Sequence, residues 1–568
     1  MMELKNFTLE ANIIDLIDRK LGFGSVQVKD GFIYKVEMTG PVKENTPYLM
    51  PGFVDAHIHI ESSMLTPPAF ARLAVRHGTV ATVSDPHEIA NVCGIEGVRY
   101  MADLGRKSGF KFFFGAPSCV PATTFETAGA EITADDIRQL FEEGSCSYLS
   151  EMMNYPAVLA RDPLVMDKIK VAQERGLPVD GHAPGLKGKE AHQYATAGIT
   201  TDHECTSLEE AIDKIDAGIR ILIREGSAAK NYNALHSLIE THSENVMFCS
   251  DDKHPDDLLH GHINQLVMRS LSHGYNLIDV LQIACVNPVH HYRLDLGLLQ
   301  PGDPADLIMI EDLDTFKVVS TWLDGHKVYD NGIVHLPDVD IPVINSFGIE
   351  KIYAYDLQLI LRSAPAKIIV AIDGAIVTQQ EEANMDEGPF ESDTTRDILK
   401  LVVINRYTKA PPAVALIKGF GLKSGAIASS VAHDSHNIIA VGTNDKDLSA
   451  CINQIIEARG GLCVMGRMQG IPDQLDTPMM STFEFDDMAF KSLCVPLPVG
   501  GLMSDSADGE TIGRLYRSAD LMSKKWLGST LSAPFMTLSF MALLVIPSMK
   551  LSDLGLFDGS KFQFAPLQ

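Results

Sequence analysis

The sequence has few cysteines, and none is part of a closely spaced pair. Nine cysteines are scattered over 568 residues, an odd number, and no CxxC occurs anywhere in the chain. A disulfide framework and a thiolate metal site both depend on paired or closely spaced thiols. The cysteine pattern therefore excludes both, and any metal site in this protein has to be built from histidines and carboxylates.

Long hydrophobic runs are also missing. The longest, Thr537 to Met549, is broken by Ser539 and Pro547 and falls far short of the roughly 20 residues that a membrane helix needs. The N-terminus, MMELKNFTLEANIIDLIDRK, has charges in every turn and lacks the apolar segment of a secretory signal peptide. We therefore expect no membrane attachment and a cytoplasmic location.

Positive charge is scarce. Lys and Arg total 47 against 74 Asp and Glu, which gives a formal net charge of −27. Such a chain repels phosphate backbones and anionic membranes, so nucleic acid is excluded as a partner. Hydrophobic residues make up 45% and charged residues 21%, as in ordinary globular proteins, so the composition does not indicate disorder.

Between Pro51 and Asp251 the sequence alternates short apolar runs with longer segments of helical pattern. Runs rich in Val, Ile, Phe and Thr, each followed by an amphipathic segment, predict repeated βα units. Eight such units predict a closed (β/α)8 TIM-like barrel over residues 49–300. The eight runs are YLMPGFVDAHIH, TVATVSDP, KFFFGAPS, SYLSEM, LPVDGHA, ITTDHE, IRILIREG and VMFCSD.

Strand-like patterns continue on both sides of the predicted barrel. Residues 1–48 and 301–345 carry alternating runs that are each too short to fold alone, so we expect one small β-sandwich domain built from both flanks. From residue 346 to 568, apolar runs alternate with an acidic segment and a helix-like stretch, Asp447 to Arg459. This part predicts a C-terminal α+β domain.

Residues of metal-ligand type stand at the ends of several predicted barrel strands, where the functional groups of such barrels lie. His57 and His59 are two apart on one strand, so both side chains can face the same ion. Taken singly, each such histidine is more simply explained as a hydrogen-bonded residue of the core, and Glu151 as the start of a helix. Together they predict a metal centre made of His57, His59, Glu151, His182, His203 and Asp251.

Two divalent ions are indicated, because four imidazoles and two carboxylates exceed what one tetrahedral catalytic site uses. Glu151 is expected to bridge them, since its two oxygens can bind one ion each. Asp251 is expected to contact an ion and to move the proton of an attacking water whose pKa the metal has lowered to about 7. Asp252 and His254 are adjacent alternatives to Asp251.

Two further segments are candidates for binding substrate. Asp85 and Glu88 in SDPHEIANV stand where a strand gives way to a helix, and a helix cap with a first-turn acid is an equally good interpretation. His433, Asp434 and His436 in AHDSHN fit a polar loop, a loop that closes over the barrel mouth or an additional metal contact. Arg224 and Glu225 are further candidates for contacting substrate, and a structural ion pair explains them as well.

The motifs PGFVDAHIHIESSM, SDPHEIANV, VDGHAPG, TDHE, SDDKHP and AHDSHN together resemble the microbial adenine deaminases of the amidohydrolase superfamily, nearly end to end. The resemblance implies the metal-dependent-hydrolase barrel and deamination of adenine to hypoxanthine and ammonia by metal-activated hydroxide attacking C6. It implies Mn or Fe in preference to Zn, and Glu151 in place of the carboxylated lysine that bridges the metals in many relatives. In this interpretation Asp251 and Glu88 are catalytic, Glu88 protonates a ring nitrogen and Asp85 orients the base.

Other functions remain open at this stage. A cyclic-amide hydrolase of the dihydroorotase or hydantoinase type uses the same barrel, although no lysine occurs between Lys111 and Lys168. A non-catalytic scaffold is a second alternative, and the presence of a ligand residue at all six positions argues against it. The zinc nucleobase deaminases are excluded because their PCxxC is missing, although His59 and Glu61 match the HxE half of the signature. A homo-oligomer is expected from size and acidity, with a dimer as the simplest guess.

Overall fold

The chain divides into two compact units, each assembled from separate stretches of sequence. The computed structural model describes residues 6–227, 229–467, 480–485 and 488–568. Unit 1 comprises Met1–Pro86, Arg99–Cys119 and Thr133–Asp340, and unit 2 comprises His87–Val98, Val120–Ile132 and Ile341–Gln568. Within these described ranges, no helix combines the length and the apolar character that crossing a membrane requires.

Unit 1 contains the predicted (β/α)8 barrel, and each of the eight apolar runs supplies one of its strands. Neighbouring strands pair in parallel, and the chain beyond the eighth strand pairs with the first, Asp251 opposite Ile58. The Thr200 amide donates to the Val179 carbonyl at 2.8 Å and links the fifth strand to the sixth. The eight strands are Phe53–His59, Thr79–Ser84, Lys111–Ala116, Tyr148–Met152, Val179–Gly181, Thr201–Asp202, Arg220–Arg224 and Val246–Cys249, which is continued by Asp251–Asp252.

Helices follow the barrel strands and begin at recognisable signals. Thr133 and Asp136 form a reciprocal capping box at the start of one helix, and Asn276 accepts from two backbone amides at the start of another. The helix His87–Lys107 is interrupted at Gly94, whose φ of 62° favours glycine. The helices are Pro67–Ala74, His87–Lys107, Ala134–Glu142, Tyr155–Leu159, Pro163–Gln173, Gly188–Thr196, Leu208–Asp216, Tyr232–Leu235, Leu238–Thr241, Pro255–His260, Ile263–Ser272, Leu277–Leu281 and Asn287–Tyr292.

A second sheet of unit 1 is built from strands of both flanks of the barrel, and the domain bounds 1–48 and 301–345 stay predictions. It is a single sheet of eight strands, in which Leu307 pairs with Pro51 and so connects the two halves. Ile13, Val26, Leu49 and Trp322 are among the side chains that fill its core. In spatial order the strands are Ile333–Val334, His326–Asp330, Val318–Leu323, Leu307–Ile310, Tyr48–Pro51, Phe7–Asp15, Lys20–Lys29 and Phe32–Gly40.

Unit 2 confirms the predicted C-terminal α+β fold. The helix Asp445–Ala458 buries Leu448, Ile452 and Ile455 in one core with residues of the central sheet. Further helices are Gly509–Lys525 and Pro534–Phe540, and smaller strands are Leu359–Leu361, Gly388–Phe390, Met549–Ser552, Gly555–Asp558 and Gln563–Phe564. The central sheet has the spatial order Gln379–Asn384, Pro365–Val370, Ala413–Lys418, Leu399–Ile404, Ile438–Gly442, Ala426–Ser429, Gly461–Arg467, Met488–Pro496 and Met480–Phe485.

The two early segments of unit 2 are bound to its late residues by hydrogen bonds. The Thr127 amide donates to Asp553 Oδ1 at 2.9 Å, and Asn437 Nδ2 donates to the Thr127 carbonyl at 2.9 Å. The Gly129 amide donates to the Asn91 carbonyl at 2.7 Å, so the two early segments also contact each other. Unit 2 is therefore completed by residues that precede most of unit 1 in the chain.

Candidate functional site

The predicted ligands of unit 1 lie together at the carboxyl ends of the barrel strands. The Nε2 atoms of His57 and His59 are 3.2 Å apart. His59 Nε2 lies 3.3 Å from Asp251 Oδ1 and 3.3 Å from Glu151 Oε1, and every one of these side chains is buried. Residues from the first, fourth and eighth strands thus meet at one point, as the positions in the sequence predict.

Glu151 contacts histidines through both of its oxygens. Its Oε1 faces His59, whereas its Oε2 lies 2.7 Å from His182 Nδ1 and 3.2 Å from His203 Nε2. The ring of His203 also stacks on the ring of His57, with centroids 4.2 Å apart. The carboxylate therefore joins the two halves of the cluster, which is the position expected of a bridging ligand.

The cluster keeps its carboxylates ionised. Burial raises the pKa of Glu151, but His182, His203 and His59 lower it by more, and the pKa ends well below its usual range. Burial likewise raises the pKa of Asp251, and Arg224 and His59 lower it further than burial raises it. Burial lowers the pKa of His182, but Glu204 and Glu151 raise it to about 9. The two carboxylates, Glu151 and Asp251, provide the negative charge that cations require.

The donor atoms of this cluster fit divalent cations. Three sets of nitrogen and oxygen atoms lie within 4.8 Å of one another, and each set mixes imidazole with carboxylate. Buried imidazoles and carboxylates that converge in this way suit Mn, Fe and Zn. The three sets are His57, His59 and Asp251; His57, Glu151 and His203; and His182, His203 and Glu204.

Glu204 is a member of the cluster that the sequence did not identify. Its Oε1 lies 3.6 Å from His182 Nδ1 and 3.5 Å from His203 Nε2. Arg224 forms an ion pair with Glu204, and its Nη1 donates to Asp251 Oδ2 at 2.6 Å. Of the two interpretations left open for Arg224, the structure shows the ion pair. The only signal in the sequence that could have indicated Glu204 is its position one residue after His203, in a run of acidic residues at strand ends.

Buried groups behind the cluster hold its histidines. Asp202 accepts hydrogen bonds from the Ala183 and Glu204 amides, each at 2.9 Å, and pairs with Lys214 Nζ at 2.9 Å. Lys214 also pairs with Glu210 at 3.0 Å. These contacts fix the backbone on both sides of His182 and His203, as the outer groups of metal sites commonly do.

A second buried cluster lies in unit 2 and contains three more of the predicted site residues, Glu88, His433 and His436. Glu88 Oε2 is hydrogen-bonded to His436 Nε2, and Glu88 Oε1 lies 3.0 Å from His433 Nε2 and 3.4 Å from His87 Nε2. Burial raises the pKa of Glu88, but the three histidines lower it well below its usual range. Burial lowers the pKa of His436 to about 4, although Glu88 raises it. Glu88 is therefore ionised at neutral pH.

The remaining predicted residues, Asp85 and Asp434, are buried as well. Asp85 follows the second barrel strand in unit 1, where its carbonyl oxygen lies 3.2 Å from His59 Nδ1. Asp434 is in unit 2, where it offers an oxygen within 4.8 Å of ligand atoms of His87 and Glu88. The roles of both residues in binding substrate stay predictions.

Comparisons with known proteins cover almost the whole chain. Residues 48–328 match the amidohydrolase family, and residues 375–481 and 486–563 match the adenine deaminase C-terminal domain. The adenine deaminase of Salinibacter ruber is 48% identical over 562 residues, with 98% of each chain covered. The adenine deaminases of Sulfurovum sp. and Methanosarcina barkeri are 48% and 46% identical, with 98% and 99% of each chain covered.

Proposed function

The chain belongs to the adenine deaminases of the amidohydrolase family, and we propose that the cluster of unit 1 is the metal centre with which it hydrolyses adenine to hypoxanthine and ammonia. The observation that carries this assignment is Glu151, whose two oxygens face different histidines. Cyclic-amide hydrolysis is not favoured, because the relatives that match the whole chain are adenine deaminases.

We propose two divalent ions, with Mn or Fe preferred to Zn. His57, His59, Glu151, His182, His203 and Asp251 would hold them, with Glu151 between the two. The chemistry that such ions supply is the activation of water, whose pKa falls to about 7 on coordination. Deamination at C6 then forms a C–O bond and breaks the C–N bond to the amino group, so one proton has to reach the departing ammonia.

Asp251 is suited to carry that proton. Arg224 donates to its Oδ2, so Oδ1 is the oxygen that remains directed at the histidines. The low pKa of Asp251 keeps this oxygen unprotonated between turnovers, so it can accept a hydrogen bond from water. We propose that Asp251 Oδ1 accepts the proton and delivers it to the leaving amino group.

For Glu88 we retain a role at a ring nitrogen of the base. Its histidine partners keep it ionised, so Glu88 is best suited to accept a hydrogen bond from a ring N–H, and any proton it passes on has to be taken up first. His433 and His436 are proposed to position this carboxylate, since each binds a different oxygen. Asp85 is proposed to orient the base, and a homo-oligomer stays a prediction from size and acidity.

The assignment of function is tested by metal removal and replacement. We expect protein stripped with a chelator to release neither ammonia nor hypoxanthine from adenine, and protein reloaded with Mn to release both in equal amounts. Reloading parallel samples with Fe or Zn ranks the three ions by the activity that each restores. If the reloaded protein binds two ions but leaves adenine unchanged, the ligand set stands and the substrate is wrong, and dihydroorotate becomes the next compound to assay.

The role of Glu88 is tested by Glu88→Gln. We expect kcat to fall about 100-fold or more, because the neutral amide oxygen is a weaker hydrogen-bond acceptor than the carboxylate and cannot take up a proton and pass it on. Metal content, measured on the same preparation, should not change. Glu96→Gln on the same helix is the matched control, since Glu96 is exposed, and should keep wild-type kcat. A Glu88→Gln protein with wild-type kcat would remove Glu88 from the mechanism.

A further inference from the structure

Unit 1 holds a cavity of about 210 Å³ whose lining includes none of the proposed metal ligands. It is bordered by residues that follow the seventh and eighth barrel strands and by the helix Ile263–Ser272. We call it the Lys253 cavity, after the lysine whose side chain lines it. Its lining includes Glu225, Lys230, Ser250, Lys253, Asp257 and Arg269.

Lys253 is buried without a hydrogen bond or an ion pair. Only 6% of the residue is exposed, and among the described residues nothing accepts a hydrogen bond from its ammonium or forms an ion pair with it. An ammonium buried in this way is costly unless something compensates its charge. The buried Lys214 and Lys400, in contrast, form ion pairs, Lys214 with Asp202 and Glu210 and Lys400 with Asp445.

The acidic groups of the cavity have hydrogen-bond or ion-pair partners other than Lys253, although their charges raise the pKa of Lys253 against the larger lowering by burial. Glu225 pairs with Arg269 at 2.9 Å, and Asp257 Oδ2 accepts from Ser227 Oγ at 2.5 Å. Lys230 lines the opening with an exposed side chain that has no partner in the described part of the chain. The lining therefore carries three basic side chains, Lys230, Lys253 and Arg269, against two acidic ones, Glu225 and Asp257.

Other donors also line the cavity. The Ser250 hydroxyl makes no hydrogen bond with any described residue, although Ser250 is buried. His262 contributes no free nitrogen, because its Nε2 binds Asp55 at 2.7 Å and its Nδ1 binds Thr79 at 2.7 Å. A ligand that accepts hydrogen bonds through several oxygens and carries negative charge suits this arrangement of two ammonium groups and a hydroxyl.

We propose that the Lys253 cavity binds a small oxyanion of the phosphate class, with Lys253 as its central counter-charge. Loops that follow the seventh and eighth strands bind phosphate in many barrels, and the cavity lies against those loops. The oxyanion is either free inorganic phosphate or the phosphoryl group of a nucleotide. Ser250 and Lys253 flank Asp251 in the chain, so the bound anion stabilises the segment that carries the proposed proton acceptor.

The test is titration of the metal-loaded protein with inorganic phosphate and, separately, with AMP, by calorimetry at constant ionic strength held with chloride. We expect saturable binding by the wild type and binding about tenfold weaker or more in Lys253→Met, which keeps the length of the side chain without its charge. Lys230→Gln should weaken binding by a smaller factor. Lys189→Gln is the matched control, since Lys189 is equally exposed in unit 1, and should bind as the wild type does.

The outcomes separate the proposal from its alternatives. Binding of phosphate identifies the free ion as the ligand. Binding of AMP without binding of phosphate identifies a nucleotide phosphoryl group when Lys253→Met weakens it, because the adenine of AMP also fits the proposed active site. Equal affinity in the wild type and a folded Lys253→Met overturns the proposal, and so does the lack of saturable binding of both anions to the wild type. If Lys253→Met does not fold, the anion affinities of Ser250→Ala and Lys230→Gln are measured instead. Wild-type affinity for the anion in both variants then overturns the proposal.

Discussion

Asp251→Asn is expected to lower kcat for adenine by about 1000-fold or more while the protein keeps its metal ions. The amide has nearly the same shape and its oxygen can still accept from Arg224, but it cannot take up a proton from water and deliver it to the amino group. Four histidines and Glu151 remain to hold the ions. The measurement is kcat from ammonia release together with metal content on the same preparation.

Asp252→Asn is the matched control for this substitution. Asp252 is the next residue, is equally buried and accepts a hydrogen bond from Ser62 Oγ at 2.5 Å. We expect its kcat to stay within about tenfold of the wild type, because the amide oxygen can still accept from Ser62 Oγ and the proton carrier is not removed. A similar kcat in both variants, or full activity of Asp251→Asn, would show that another group moves the proton.

Glu151→Gln is expected to cost about 100-fold or more in metal affinity, and activity at limiting metal falls with it. Loss of a group that merely orients a ligand already costs 10- to 100-fold in many metal sites, and Glu151 contacts three histidines directly. The neutral amide offers one oxygen where the carboxylate offers two. Metal affinity is measured by competition with a chelator, and kcat is followed as Mn is added.

The control for Glu151→Gln has to separate metal loss from unfolding. Asp306→Asn serves, because Asp306 is a buried carboxylate of unit 1 that pairs with Lys111 at 2.8 Å and belongs neither to the ligand set nor to the groups that hold it. We expect it to lower the free energy of unfolding by about 3–5 kcal/mol while metal affinity stays near that of the wild type. If Glu151→Gln binds two ions as tightly as the wild type, Glu151 is not the bridge.

The barrel could be predicted from the sequence because its strands are buried on both faces. Thr79–Ser84 and Val246–Cys249 are buried at every position, so each is a short run of apolar and small residues that stands out from the amphipathic helices around it. The ligands could be predicted for a related reason. They follow such runs directly, and parallel strands bring their carboxyl ends to one side of the barrel.

Local irregularities in the first strand could not be predicted. Strict alternation would place Asp55 on the same face as His57, yet Asp55 binds His262 and the Ser250 amide instead of joining the cluster. The pairing with the second strand shifts between Asp55 and Ile58, and such an irregularity changes which side chains share a face. No residue type in VDAHIH indicates that shift.

Glu204 was missed because alternation is a poor guide at the end of a very short strand. Adjacent residues on a strand point to opposite faces, which argues against two neighbouring ligands. The sixth strand, however, consists of Thr201 and Asp202 alone, so His203 and Glu204 lie beyond it. There His203 contacts Glu151, and Glu204 contacts His182 and Arg224. Strand length depends on tertiary pairing, which the sequence did not specify.

The contacts of Glu88 were beyond any local pattern. His436 is 348 residues away from Glu88 in the chain, and the two meet only when unit 2 has formed. The sequence singled out both residues by their motifs, but the burial of Glu88 and the contacts with histidines that lower its pKa come from packing. The same is true of Arg224, whose choice between substrate and ion pair depended on where Glu204 lies.

The discontinuous make-up of unit 2 constrains the order in which the protein can be made. Thr127 leaves the ribosome 310 residues before Asn437 and 426 residues before Asp553, its two hydrogen-bonding partners. At about 5–20 residues per second, that delay amounts to tens of seconds. During synthesis the early segments of unit 2 lack their native partners, so they are the segments that a chaperone would protect. A gene that ends after Asp340 would leave them permanently without those partners.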